Sequence, residues 1–191
     1  MKYKLSVIFL FICLILILIY NMFDESKMNV LYIGDNNTFN YIKTELNEYN
    51  LSKYLFNNVT YTDIYKYIKN NHYKFIKDSY VYLNQEIGKS DVIILNANNF
   101  EYKLKCKKNN RIIQEYNNKV YNDIQNLVLY LKSIVDAKII VIGNYCNGNN
   151  IKFDDDKYYF INYNNIENID EILSKVINNW NLTWFYYKKY V

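Results

Sequence analysis

The sequence predicts an α/β domain, a three-layer α/β/α sandwich with a central parallel sheet. Short apolar runs of strand length occur at residues 30–33, 92–95 and 139–142, and longer segments with helical spacing separate them. Proline is absent from the 191 residues, and no repeat or glycine-rich linker divides the chain. This alternation is typical of buried parallel strands joined by right-handed helical crossovers. We therefore predict one domain, residues 29–191, of about 160 residues.

The first half of this domain contains two strand–helix units. The strand at residues 30–33 precedes a helix whose apolar positions share one face, Phe39, Ile42, Leu46 and Tyr49. A weak strand is predicted around residues 57–60. A helix follows at residues 63–69, with Ile64, Tyr67 and Ile68 turned inward.

The second half is more strongly patterned. A segment containing Val81, Leu83 and Ile87 leads to a buried strand at residues 91–95. Apolar residues then keep helical spacing from residue 113 to residue 135, before another buried strand at residues 138–143. We predict a fifth strand at residues 158–161 and a closing helix at residues 172–180.

The N-terminal segment, residues 1–23, predicts a membrane anchor. Residues 5–20 are apolar apart from one serine, and about 19 residues span nearly the ~30 Å hydrocarbon core. Two lysines precede the segment and two acidic residues follow it, which predicts a cytoplasmic N-terminus. A cleavable signal peptide is the alternative, but residues 17–23 lack the small residues of a cleavage site. We expect a single-pass protein of the cell membrane with an extracytoplasmic domain.

Composition disfavours several classes of ligand. The net charge of +4 is mild and the lysines are dispersed, so we expect no nucleic-acid partner. Cys13 lies within the predicted anchor, whereas Cys106 and Cys146 could pair, although their spacing does not demand it. Without a Cys/His cluster, and with the acidic run 154–156 lacking spaced partners, we expect no metal and no cofactor.

Three polar motifs follow predicted strands, at the edge of the sheet where α/β proteins bind ligands. They are Gly34-Asp35-Asn36, then the stretch 95–104 with Asn96, Asn98 and Asn99, and finally Gly143-Asn144-Tyr145. In order and spacing they resemble the signature blocks of the SGNH (GDSL-type) hydrolases, over roughly residues 29–165. The resemblance implies the flavodoxin-like SGNH hydrolase fold. It places Asn98 on the asparagine that helps bind the oxyanion and Asn96 on a family glycine.

The same resemblance implies that the catalytic groups are lost. Asn36 occupies the position of the nucleophilic serine, and a carboxamide is a very poor nucleophile. The family histidine lies near the C-terminus, whereas the single histidine here is His72, which we expect in an exposed loop. We therefore expect no catalytic residue. Asp35, Asn36 and Asn98 would line the mouth of the former pocket, with Asp35 capping the next helix or stabilising its loop.

Three functions remain open at this point. The first is a catalytically inactive, extracytoplasmic SGNH-like binding module, held to the membrane by its N-terminal helix and contacting a cell-wall carbohydrate or a protein partner. The second is an atypical active esterase or deacetylase for cell-envelope acyl groups, using another hydroxyl such as Thr38. The third is an α/β interaction module without a ligand, because a shared fold does not establish a shared function.

Overall fold

The computed structural model of the chain describes residues 27–44, 46–76, 79–97, 104–143, 146 and 158–162. The predicted anchor and the predicted closing helix therefore lie outside the described residues. Within the described part of the chain, no helix is both long enough and apolar enough to cross a membrane.

The described elements alternate between strand and helix, as the apolar pattern predicts. In chain order they are β1 (Asn29–Asp35), α1 (Asn36–Ile42), β2 (Asn50–Phe56), α2 (Tyr61–Lys69), β3 (Tyr73–Ile76), β4 (Ser79–Tyr82), α3 (Leu83–Lys89), β5 (Val92–Asn96), α4 (Asn110–Ile134), β6 (Lys138–Gly143) and β7 (Tyr158–Asn162).

The central sheet has five described strands in the order β2-β1-β5-β6-β7, and every neighbouring pair is parallel. This confirms the prediction of an α/β fold with a central parallel sheet. The chain moves from β1 outward to β2, then returns to the other side of β1 to place β5. The strand order therefore reverses between β1 and β5, and ligand sites of open α/β sheets form at such a point.

Buried side chains cover both faces of the sheet. Leu31 and Ile33 of β1 belong to a cluster that includes apolar residues of α2, α3 and α4. Val30 and Tyr32 point the other way and pack with residues of α1. This division follows from the alternation of side chains along a strand, and it explains why β1 is an almost continuous apolar run.

Two element boundaries differ from the prediction. The second strand is Asn50–Phe56 rather than residues 57–60, which contain a left-handed residue, Asn58 with φ 54°. Its apolar alternation is weak because β2 is the end strand of the described sheet and most of its side chains are only half-buried. Helix α1 ends at Ile42, yet Leu46 beyond it is still fully buried.

The β3–β4 hairpin is absent from the prediction. It forms an antiparallel sheet of its own, in which Tyr73 is opposite Tyr82, and it lies between α2 and α3. Its strands are four residues each, too short for periodicity to distinguish from a loop.

A disulfide joins Cys106 to Cys146. It links the chain just before α4 to the chain just after β6, across a sequence separation of 40 residues. Spacing alone left this pair open.

Candidate functional site

The ends of β1, β5 and β6 meet at the reversal of strand order. Gly34 is paired with Asn96, and Asn96 is paired in turn with Ile142. We call this region, defined by Asp35, Asn96 and Ile142, the carboxyl edge. The first two sequence motifs begin at this edge, at the ends of β1 and β5. The third, Gly143-Asn144-Tyr145, begins at the end of β6, directly after Ile142.

Asp35 is fully buried and acts as the N-cap of α1. Its Oδ2 accepts hydrogen bonds from the backbone N–H groups of Asn37, at 3.0 Å, and Thr38, at 3.1 Å. These bonds satisfy two of the donors that a helix leaves unpaired in its first turn. The capping role predicted for Asp35 is confirmed. Its Oδ1 is buried and has no hydrogen-bond partner among the described residues.

The side chain of Asn96 bridges the neighbouring strands. Its Nδ2 donates to the backbone oxygen of Ile142 at 2.9 Å, and its Oδ1 accepts from the Tyr32 hydroxyl at 3.3 Å. The same hydroxyl donates more closely to the backbone oxygen of Asp35, at 2.8 Å. Because Asn96 is 1% exposed, leaving these groups unpaired would cost about 1–3 kcal/mol each.

Tyr61, the first residue of α2, reaches the same edge from the helix side. Its hydroxyl donates to the backbone oxygen of Ile142 at 2.6 Å, so this carbonyl accepts two side-chain hydrogen bonds. Gly143 makes room for the ring, because a Cβ there would lie 2.6 Å from the Tyr61 hydroxyl oxygen. A Cβ on Gly34 would lie only 2.0 Å from the backbone oxygen of Asn96. Both positions therefore require glycine, because the Tyr61 hydroxyl lies close to Gly143 and the Asn96 backbone lies close to Gly34.

A capping box holds the first turn of α2, and with it Tyr61. The Thr60 side chain accepts from the Asp63 N–H at 3.2 Å, and the Asp63 carboxylate accepts from the Thr60 hydroxyl at 2.7 Å and from the Thr60 N–H at 3.1 Å. Hydrogen bonding from the Thr60 side chain is the main cause that lowers the pKa of Asp63. The helix that carries Tyr61 is thus fixed at the end that faces the carboxyl edge.

The site residues predicted from the sequence are only partly described. Asn36 is half-buried at the start of α1, and Asn98 lies outside the described residues, as do Asn99 and Asn144. Thr38, the alternative nucleophile, is 3% exposed, which disfavours attack on a substrate from solvent. Among the described residues, no group of three His, Cys, Asp or Glu side chains could hold a metal ion.

His72 lies in a loop between α2 and β3, as expected, but it is half-buried rather than exposed. Its ring centroid lies 5.1 Å from that of Tyr67, 5.6 Å from that of Phe56 and 6.3 Å from that of Tyr73. The aromatic neighbours come from three elements, Phe56 from β2, Tyr67 from α2 and Tyr73 from β3. The sequence around His72 does not predict that β2 packs beside it.

Tyr32 and Tyr61 are the residues of this network that the sequence reasoning missed. A tyrosine inside an otherwise aliphatic strand is a usable signal, because a buried hydroxyl needs a partner. The signal for Tyr61 is weaker, since only its place after the capping residue Thr60 indicates that it starts a helix.

Comparison with known proteins adds no assignment. No protein-family model matches the chain, and a search of curated proteins finds no match.

Proposed function

We propose that this chain is a membrane-anchored, extracytoplasmic protein with an SGNH-hydrolase-like, three-layer α/β/α domain that no longer hydrolyses esters and acts as a binding module. One observation carries the proposal. Gly34-Asp35-Asn36 lies at the end of β1, at the reversal of strand order, with an asparagine where the resemblance requires a nucleophilic serine. The strand order and the burial of both sheet faces support a flavodoxin-like arrangement.

The polar groups of the carboxyl edge support the loss of catalysis. Serine hydrolases need a nucleophile, a base beside it and donors for the oxyanion. Asn36 has no hydroxyl, and the Asn96 amide is engaged with Tyr32 and Ile142. One oxygen of Asp35 is engaged in capping α1. Within this proposal, Asp35, Asn36 and Asn98 line the former active site without performing acyl transfer.

The disulfide supports the proposed location of the domain. Disulfides persist in oxidising compartments and are rare in reducing ones. The Cys106–Cys146 bond therefore fits a domain outside the cytoplasm, on the far side of the anchor proposed at residues 1–23. Its partner there would be a cell-wall carbohydrate or another envelope protein.

The proposed loss of ester hydrolysis is tested with a fluorophosphonate probe on the full chain in detergent, because this probe labels activated serine-type nucleophiles. We expect no labelling, and none for Asn36→Ser either, since restoring the hydroxyl supplies no base. An active serine hydrolase labelled in the same tube is the positive control. Labelling of the folded wild-type chain, lost in Thr38→Val, would instead establish the atypical esterase.

The location is tested in intact bacterial cells that express the full chain. After mild reduction, a membrane-impermeant maleimide should label the half-buried Cys106 rather than the fully buried Cys146, whereas unreduced samples should show no labelling at either position. Cys106→Ser with Cys146→Ser is the matched control. Labelling that requires cell lysis would place the domain in the cytoplasm.

A further inference from the structure

The β3–β4 hairpin presents a surface that the fold does not need. Two parallel strands of one sheet require only a single crossover connection, usually a helix. Here the crossover from β2 to β5 contains α2 and α3, and the hairpin is added between them as a separate two-stranded sheet. An isolated hairpin of this size is at best marginally stable in water. A function other than stabilising the fold would therefore explain this hairpin.

Three exposed tyrosines lie on one face of the described part of this hairpin, which we call the tyrosine face. Tyr73 is 52% exposed, Tyr80 57% and Tyr82 36%. The centroid of the Tyr73 ring lies 5.0 Å from that of Tyr80 and 5.7 Å from that of Tyr82. A contiguous exposed cluster of large rings differs from single exposed apolar residues, which are normal on any surface.

The opposite side of the hairpin is anchored to the domain. The Tyr54 hydroxyl donates to the backbone oxygen of Val81 at 2.8 Å. The Lys74 ammonium lies 4.2 Å from the centroid of the Tyr54 ring and donates to the backbone oxygen of Lys53 at 2.8 Å. The tyrosine face is therefore held outward on a supported element, so a ligand would not have to order it first.

We propose that the tyrosine face binds a neutral, β-linked glycan strand of the cell envelope. Sugar rings have apolar C–H faces and polar rims, and tyrosine combines an apolar ring with a polar hydroxyl in the same way. The Tyr73 ring is inclined by 83° to Tyr80 and by 59° to Tyr82, so the surface is stepped rather than flat. A stepped surface with ring-sized spacing suits successive sugar units better than a flat protein face.

Charge favours a neutral ligand over a membrane surface. Among the described hairpin residues 73–76 and 79–82, Lys74 is the one charged residue, and its ammonium is turned to the Tyr54 side. The sequence between the two strands adds Lys77 and Asp78, outside the described residues, whose formal charges cancel. Attraction to anionic lipid relies on cations at the contact surface. The tyrosine face has none among the described hairpin residues, whereas a neutral glycan requires none.

This inference rests on the proposed extracytoplasmic location but not on the carboxyl edge. It is tested by isothermal titration calorimetry of the full chain in detergent with chitohexaose, a neutral β-linked N-acetylglucosamine hexamer, and by co-sedimentation with purified cell-wall sacculi. We expect Tyr73→Ala and Tyr80→Ala each to weaken chitohexaose binding by about tenfold. Tyr41→Ala is the matched control, because Tyr41 is 65% exposed on α1, and its affinity should be unchanged.

Several outcomes would overturn the inference. Absence of binding to both glycan probes would do so, as would binding that Tyr73→Ala and Tyr80→Ala leave unchanged. A change of oligomeric state in Tyr80→Ala, measured by sedimentation velocity, would assign the face to a second copy of the chain. Protection of Tyr80 but not Tyr41 from nitration in lipid nanodiscs without glycan would assign it to the bilayer. Failure of this inference is distinguishable from failure of the proposed function, because Tyr73→Ala and Tyr80→Ala should leave the fluorophosphonate and maleimide results unchanged.

Discussion

The carboxyl edge and the tyrosine face show opposite uses of polar and aromatic side chains. At the carboxyl edge, Asp35 and Asn96 are buried, and their hydrogen bonds cap a helix and join strand ends. On the hairpin, Tyr73 and Tyr80 expose more than half of their surface, and the bonds that hold the hairpin lie on its other side.

In this chain, Asp35 and Asn96 at the usual ligand position of the fold are buried, whereas the exposed rings of Tyr73 and Tyr80 lie on a different element. Open α/β sheets bind ligands where the strand order reverses, but in this chain the described polar groups at that point largely support the fold. The accessible rings occur on an element added to a crossover. Substitutions at the two regions should therefore differ in kind, since those at the edge reduce stability and those on the tyrosine face reduce binding.

Gly34→Ala should have the largest effect. Its Cβ would lie 2.0 Å from the backbone oxygen of Asn96, and backbone on both strands would have to move. We expect a loss of roughly 3–5 kcal/mol in the free energy of unfolding, measured by urea denaturation. Gly88→Ala is the control, because a Cβ there meets nothing within 4 Å. Gly88 lies one residue before the end of α3, so this substitution should stabilise by at most about 0.5–1 kcal/mol. Equal effects of the two variants would contradict the close packing of β1 against β5.

Asn96→Ala should have the next largest effect. It removes the donor to the Ile142 oxygen and the longer contact with the Tyr32 hydroxyl, which keeps its closer acceptor, the backbone oxygen of Asp35. We expect a cost of about 2–3 kcal/mol in the free energy of unfolding. Tyr61→Phe removes the other donor to the Ile142 oxygen.

Tyr61 and Asn96 donate to the same backbone oxygen, that of Ile142. The double variant Asn96→Ala with Tyr61→Phe should therefore lose an amount of unfolding free energy that differs from the sum for the two single variants. Asn126→Ala, on the exposed side of α4, should change the free energy of unfolding by less than about 0.5 kcal/mol. Strict additivity of Asn96→Ala and Tyr61→Phe would show that the shared carbonyl does not couple them.

Tyr54→Phe tests the anchor of the tyrosine face. Burial, with a smaller contribution from the negative charge of Glu86, raises the pKa of Tyr54 to about 12, so its hydroxyl remains a donor to Val81 at neutral pH. Losing this bond should cost about 1 kcal/mol, and hydrogen exchange of amides 79–82 should accelerate more than that of β5. Tyr41→Phe should leave the exchange pattern unchanged. Uniform acceleration through the sheet would mean that Tyr54 stabilises the whole domain rather than the hairpin.

The smallest predicted effect concerns pH. The folded pKa of Asp63 is lowered, first by the Thr60 side chain, so its carboxylate adds stability above its unfolded pKa of about 3.9. That contribution is lost as pH falls through the lower, folded pKa. Asp63→Asn should remove a few tenths of a kcal/mol near pH 6, because the group is largely solvent-screened, and should flatten the decline in Tm below pH 4. A parallel decline in Asp63→Asn and wild-type protein would contradict the capping box.

Long, strongly patterned segments could be predicted because the spacing of their apolar residues shows which face of the helix or strand is buried. The helix predicted at residues 113–135 is Asn110–Ile134, and the strand predicted at 138–143 matches β6. The predicted fifth strand at 158–161 corresponds to β7. At the site, the predicted cap Asp35 is confirmed by its bonds to the first-turn N–H groups of α1, which a short carboxylate directly before a helix can reach.

The sequence by itself determined the alternation of strands and helices, and from it the parallel sheet with its polar edge. Only the tertiary structure decided which strand lies beside β1, because strand order depends on long-range pairing that no local period encodes. The same is true of the Asn96–Ile142 bond, the Cys106–Cys146 disulfide and the surroundings of His72. These contacts join residues distant in the chain, so they exist only once the sheet has brought the strand ends together.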